Sequence, residues 1–237
     1  MIHVLKNNAT RAINAITMLK VILIISLFVL VSDIMEFNFL SELREYNPLY
    51  DSNAELIASA NANDDRQQMV AGIYSIAWII SGILFIQWFR RAYYNLNQVK
   101  AMRYSEGWAA GAWFVPFLNF IRPLQIMKDM HQEMKKSLGS PYRKIVSNES
   151  LVGIWWFMYL GGNFIGYFSA RQSIAADTIS DYQLVSSLSL IADIMTIISC
   201  YLAIRMVREF SQLEGVWAET INAESHGTLE GIENDGI

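Results

Sequence analysis

Four apolar runs of about twenty residues restrict this chain more than any other feature: 12–31, 69–89, 151–170 and 184–204. A helix rising 1.5 Å per residue needs about twenty residues to cross a hydrocarbon core of about 30 Å. The first run carries a single charge, Lys20, and the fourth a single charge, Asp193. Composition points the same way. Hydrophobic residues make up 53% of the chain and charged residues 17%, against about 25% charged in ordinary soluble domains. The expected fold is all-α, an integral membrane bundle of four full transmembrane helices. No small-x-small site follows the first run, so it is expected to stay as an uncleaved span.

The segments between the runs complete the plan. Residues 32–68 are polar and acidic, are punctuated by Pro48, and are expected to form an external loop. Residues 107–121 are apolar and aromatic but only fifteen long, about 22 Å as a helix. That length predicts a re-entrant half-helix rather than a crossing. Residues 121–138 place Ile121, Leu124, Met127, Met130, Met134 and Leu138 three and four apart. Such spacing predicts an amphipathic helix suited to the headgroup region. One membrane domain over 1–217 and a disordered acidic tail over 218–237 are expected.

Charge sets the orientation. Fourteen of the 18 basic residues fall in the N-terminus, in 90–150 and after 204. The positive-inside rule then places both termini in the cytoplasm, in a multi-pass protein of the inner (plasma) membrane. The basic helix 121–138 makes anionic lipid an expected partner beside the bilayer itself, with room for an unknown protein partner. Basic residues are not gathered on a soluble domain, which removes support for nucleic-acid binding.

Candidate functional residues fall in three groups. Lys20 and Asp193 are charges within spans, each needing a partner or water, and counting from the cytoplasmic ends predicts an ion pair between them. Trp108, Trp113, Pro116, Asn119, Arg122 and Pro123 belong to the re-entrant segment, where non-helical backbone must be buried or line a wet cavity. Gly162, Asn163 and Gly166 form a small-residue face that predicts close helix packing, with Asn163 bonding across. A single cysteine, Cys200, excludes an intrachain disulfide. His3, His131 and His226 lack ligand spacing. Nucleotide-binding and hydrolase motifs do not occur. No cofactor, metal or catalytic residue is expected.

The central residues carry a resemblance. The order Arg90-Arg91-Ala92-Tyr93-Tyr94-Asn95-Leu96, Arg103-Tyr104-Ser105-x-Gly107-Trp108-Ala109, Trp113-Phe114-Val115-Pro116-x-x-Asn119 and Arg122-Pro123 resembles a bacterial membrane family, domain of unknown function 4328. Trp155-Trp156 match that family's Trp-rich span, and Glu106 stands where it often has proline. The resemblance spans roughly 70–215 and implies a multi-span membrane protein without an assigned activity. The leading functional expectation is a non-enzymatic protein that binds or organises something at the cytoplasmic face. A small-solute or ion pathway using Lys20 and Asp193 is the alternative, and an enzyme acting on lipid is the weaker third.

Overall fold

The computed structural model describes residues 5–45, 53–138 and 149–234, with side chains described as far as residue 221. The described residues are helical, with no strand among them. Helix α1 spans Ala9–Glu45, α2 Asn53–Val99, α3 Trp108–Gly111, α4 Arg122–Ser137, α5 Glu149–Ser173 and α6 Ile179–Asn234. Among the described residues α1, α2, α5 and α6 are long and apolar enough to cross a membrane. The chain divides into two compact units, one of residues 18–81 and 155–202, the other of residues 1–17, 82–154 and 203–237.

Two expectations about the connections are corrected. Residues 32–68 are not an external loop, because α1 runs on to Glu45 and α2 begins at Asn53. The sequence from Ser32 to Glu45 holds neither proline nor glycine, so nothing stops the helix before Pro48. The expected disordered tail is helical from residue 218 to Asn234. Leu213 and Trp217 stay buried there, and Ala218, Glu219, Ala223 and Glu224 favour helix.

In the unit of 18–81 and 155–202 successive helices pack antiparallel. Ile22, Ala77 and Cys200 form a small buried cluster with Leu23, Ile25 and Tyr74 against it. Ser169 Oγ on α5 donates to the Val185 carbonyl on α6 at 2.9 Å and lies 2.9 Å from Ser189 Oγ. Thr178 and Asp181 cap the start of α6 reciprocally: Thr178 N–H reaches Asp181 Oδ2 at 3.0 Å, and Asp181 N–H reaches Thr178 Oγ1 at 3.2 Å. Large apolar side chains are left exposed at helical spacing: Ile24, Phe28, Val31 and Met35 on α1, Met69, Ile73, Ile76 and Ile80 on α2, and Leu184, Ile191, Ile194 and Ile198 on α6. Exposed apolar stripes of this size on a soluble surface would mark an interface. On span-length helices they form a lipid-facing belt.

The other unit centres on aromatic and methionine packing. Trp88, Phe89 and Tyr93 of α2, Met206 and Phe210 of α6, and Ile126, Met127, Met130 and Met134 of α4 are fully or almost fully buried. Trp88 Nε1 donates to Ser211 Oγ at 3.0 Å, and its ring lies 5.9 Å from that of Phe210. The apolar face of α4 is therefore used up inside the protein. His131 is also buried, with Nδ1 2.8 Å from the Met127 carbonyl and its ring 5.5 Å from Phe210.

Candidate functional site

The polar residues of the first unit gather where α1, α2 and α6 meet. Ser32, Asp33 and Glu36 come from α1, Asn63, Arg66 and Gln67 from α2, and Asp193 from α6. Gln67 Nε2 donates to Glu36 Oε2 at 2.8 Å and to Asp33 Oδ1 at 3.3 Å. Arg66 Nε donates to Ser32 Oγ at 3.1 Å, and Nη2 donates to the Ser32 carbonyl at 3.3 Å and to Asn63 Oδ1. The Asp33 and Asp193 carboxyl groups face each other, and Asp193 Oδ2 is buried without a hydrogen-bond partner. Two carboxyls this close can share a proton.

Asp193 also opens sideways. A cleft of about 480 Å³ is lined by Tyr74, Trp78, Asn163, Gly166, Asp193 and Thr196, among others of α2, α5 and α6. The Tyr74 and Thr196 side chains are hydrogen-bonded to each other. Apolar Trp78 and Ile79 and polar Asn163, Asp193 and Thr196 share its lining.

The expected pairing of Lys20 with Asp193 is not formed. Lys20 and Asp33 are thirteen residues apart on α1, about 20 Å along the helix and on nearly opposite faces. Asp193 lies level with Asp33, and Gln183 Nε2 on α6 donates to Ser41 Oγ on α1 at 3.4 Å, which fixes the same register. Lys20 is exposed, on the face that carries Ile24 and Val31, where its stem can snorkel. Asp33, Glu36, Arg66 and Gln67 escaped the sequence reading because they sat in the supposed loop. The signal was available: Asp33 and Glu36 are one turn apart in a stretch without breakers.

Gly162 and Gly166 face α6. A Cβ at Gly162 would meet the Ala192 carbonyl oxygen at 3.3 Å, and one at Gly166 would meet Ala192 Cβ at 3.8 Å. Asn163 lines the cleft, and its Nδ2 donates to the Tyr159 carbonyl of its own helix at 2.7 Å instead of reaching across.

The segment 107–121, in the second unit, is not a continuous half-helix. One turn over Trp108–Gly111 gives way to turns and then to a 3-10 turn over Leu118–Phe120. Pro116 is the cause, since it lacks an N–H and its ring clashes with the preceding helical turn. Leu118 N–H bonds the Pro116 carbonyl at 2.8 Å across Phe117, whose φ is 63° and ψ −38°. This is a γ-turn with a positive φ, strained by about 1–3 kcal/mol for a non-glycine residue. Asn119 N–H closes onto the Val115 carbonyl at 3.0 Å. Trp113 packs edge-on against Phe85 and Phe89, at 5.7 and 5.9 Å. The Arg122 guanidinium lies 4.0 Å from the Trp108 ring and 4.8 Å from the Tyr104 ring. Pro123 fits the first turn of α4. These residues build a spur and do not join the acidic pair, which lies in the other unit.

Span-length apolar helices with an exposed apolar belt define a multi-pass α-helical membrane protein. Within that class the chain belongs to the family described as Domain of unknown function (DUF4328), whose model matches residues 51–212. Neither the comparison with curated proteins nor that with solved structures gives a match.

Proposed function

We propose that this protein binds and passes a small monovalent cation, the proton first among them, at the Asp33–Asp193 pair. The observation that carries this reading is the meeting of two carboxyls beside a cleft among span-length helices. Ionisable groups in such a setting are expensive to keep and are usually tied to ion or proton movement. Glu36 adds a third carboxyl, while the donors of Arg66 go to Ser32 and Asn63. A surplus of negative charge is therefore left for a mobile cation to neutralise. In this reading the termini lie in the cytoplasm of a plasma membrane, and the acidic cluster sits toward the outer end of the spans.

The organising role at the cytoplasmic face draws less support. The apolar side of α4 is buried in the protein, and Glu133 binds both Lys100 and Lys136, at 2.6 and 2.7 Å.

The test uses the full chain in sealed liposomes with an entrapped pH-sensitive dye. A potassium gradient with valinomycin drives proton entry, and sodium or potassium gradients of opposite sense test those ions separately. Wild type should raise flux above protein-free liposomes, and Asp193→Asn should lower it at least tenfold. Equal flux from wild type, Asp193→Asn and empty liposomes for every ion overturns the proposal.

A further inference from the structure

The spur of the second unit ends in exposed hydrophobic side chains. Phe117 is 82% exposed and Phe114 74%, with Phe120 and Ile121 more than half exposed beside them. Four large apolar groups within eight residues are costly to leave in water. The backbone holds them out by construction: the γ-turn at Phe117 aims that ring away from the body.

The same unit fixes where the spur emerges. Trp113 is locked against Phe85 and Phe89 of α2. Two residues before Phe85 Ile83 is exposed, and directly after Phe89 come Arg90 and Arg91. On a membrane helix the change from exposed isoleucine to arginine marks the hydrocarbon–headgroup boundary. The spur is thus anchored at that boundary. Behind it stand Arg122, sandwiched by Trp108 and Tyr104, and Arg90, 3.5 Å from Glu106.

We infer that the 112–121 spur is a wedge set into one leaflet of the phospholipid bilayer, with Phe114, Phe117 and Phe120 among the acyl chains and Arg122 at the phosphate level. The occupant of this apolar surface is lipid, because Phe85 and Phe89 hold the spur between exposed Ile83 and the Arg90–Arg91 pair, at the level where α2 passes from hydrocarbon to headgroups. The wedge enters one leaflet only. Its turn returns the chain to Arg122 within five residues of Phe117, so it inserts to a depth of about 5–10 Å, like an interfacial element. This inference stands apart from the cation reading and survives if that reading fails.

The experiment is site-directed spin labelling of the full chain. Phe117→Cys is made in a Cys200→Ser background, labelled with a nitroxide and placed in vesicles of equal parts phosphatidylcholine and phosphatidylglycerol. Power saturation compares collisions with oxygen and with a water-soluble nickel chelate. High oxygen access with nickel exclusion, about 5–10 Å below the phosphates, is the expected result. Nickel access equal to that of a water-exposed site overturns the wedge. Exclusion of both reagents also overturns it, since protein and not lipid would then cover the spur. Phe114→Cys, read the same way, keeps the test decisive if the first variant does not assemble. A Trp113→Cys label, packed against α2, serves as the control shielded from both.

Discussion

Adding one methyl group at each of two glycines on the same face of α5 should have opposite effects. At Gly162 an added Cβ would lie 3.2 Å from Thr196 Oγ1, 3.3 Å from the Ala192 carbonyl oxygen and 3.3 Å from Met195 Cβ. The carbonyl and the Cβ belong to or sit against the backbone of α6 and cannot rotate aside, so the helices must separate by a few tenths of an ångström. Overpacking of this kind costs about 1–3 kcal/mol. Replacing glycine by alanine in a helix returns about 0.8–1.0 kcal/mol. Gly162→Ala should therefore lose between nothing and about 2 kcal/mol. At Gly166 the nearest atom is Ala192 Cβ at 3.8 Å, an ordinary contact. Gly166→Ala should gain up to about 1 kcal/mol. Gly161→Ala should fall between them, because the atom it meets is the flexible end of Met195. Titration of the detergent-solubilised protein with sodium dodecyl sulfate, followed by circular dichroism, measures all three. Finding Gly162→Ala as stable as Gly166→Ala would refute the close approach of α5 and α6 at this point.

Other perturbations test separate parts of the chain. Arg122→Lys should loosen residues 103–122, since an ammonium cannot reproduce a guanidinium stacked between Trp108 and Tyr104; the loss is about 0.5–2 kcal/mol, and unchanged amide exchange there would contradict it. Glu214→Gln should free the N-terminal segment, because Glu214 accepts from Asn8 Nδ2 at 3.0 Å and Asn95 Nδ2 at 2.7 Å. A glutamine turns one acceptor into a donor facing an amide, at about 1–3 kcal/mol, and exchange at Lys6–Arg11 should speed up. Burial pushes the Glu133 carboxyl up, but hydrogen bonds from Lys100 and Lys136 outweigh it and leave the group below its ordinary 4.5. Its contribution is thus complete above that ordinary value and is lost as pH falls through the lowered one. The last turns of α4 should exchange faster in that acid window, Glu133→Gln should remove the pH step, and the effect is within about 1 kcal/mol.

Much of the fold was legible because hydropathy alone locates span-length helices. Each of the four apolar runs lies inside one long helix. What hydropathy cannot supply is the point where a helix stops once its sequence turns polar. Ser32–Glu45 is polar enough to look like a loop, yet it lacks a breaker and has apolar Met35 and Leu40 one to two turns apart. That misreading moved Asp33 off the first long helix and left Asp193 to be matched with Lys20 by counting. Register between α1 and α6 decides that match, and register depends on contacts such as Ser41 with Gln183 that no single helix encodes. The segment 107–121 shows the same limit. Its length argued against a crossing, but the γ-turn follows from the position of Pro116 relative to Phe117, not from length. The methionines of α4 stand out in the sequence, while their burial near Phe210 depends on a helix more than seventy residues away.

Two carboxylates sunk into this protein meet opposite surroundings, and the contrast separates support from chemistry. Glu214 is 7% exposed, and each of its oxygens accepts a hydrogen bond from a fixed asparagine amide. Asn95 in turn clamps both the N–H and the carbonyl of Lys6, at 3.0 and 2.8 Å. Both Glu214 oxygens and both ends of the Asn95 amide have permanent partners, which is what a structural latch requires. Asp193 instead faces Asp33. The donors nearest that pair are split: Gln67 serves Asp33 and Glu36 together, and Arg66 is engaged by Ser32 and Asn63. A cluster meant only to hold helices together would be more stable with Asn at position 193, since the amide removes the like-charge conflict. Asp193→Asn should therefore leave detergent stability unchanged or raise it while abolishing flux. A structural carboxylate gives the reverse pattern, a loss of stability, as expected for Glu214→Gln.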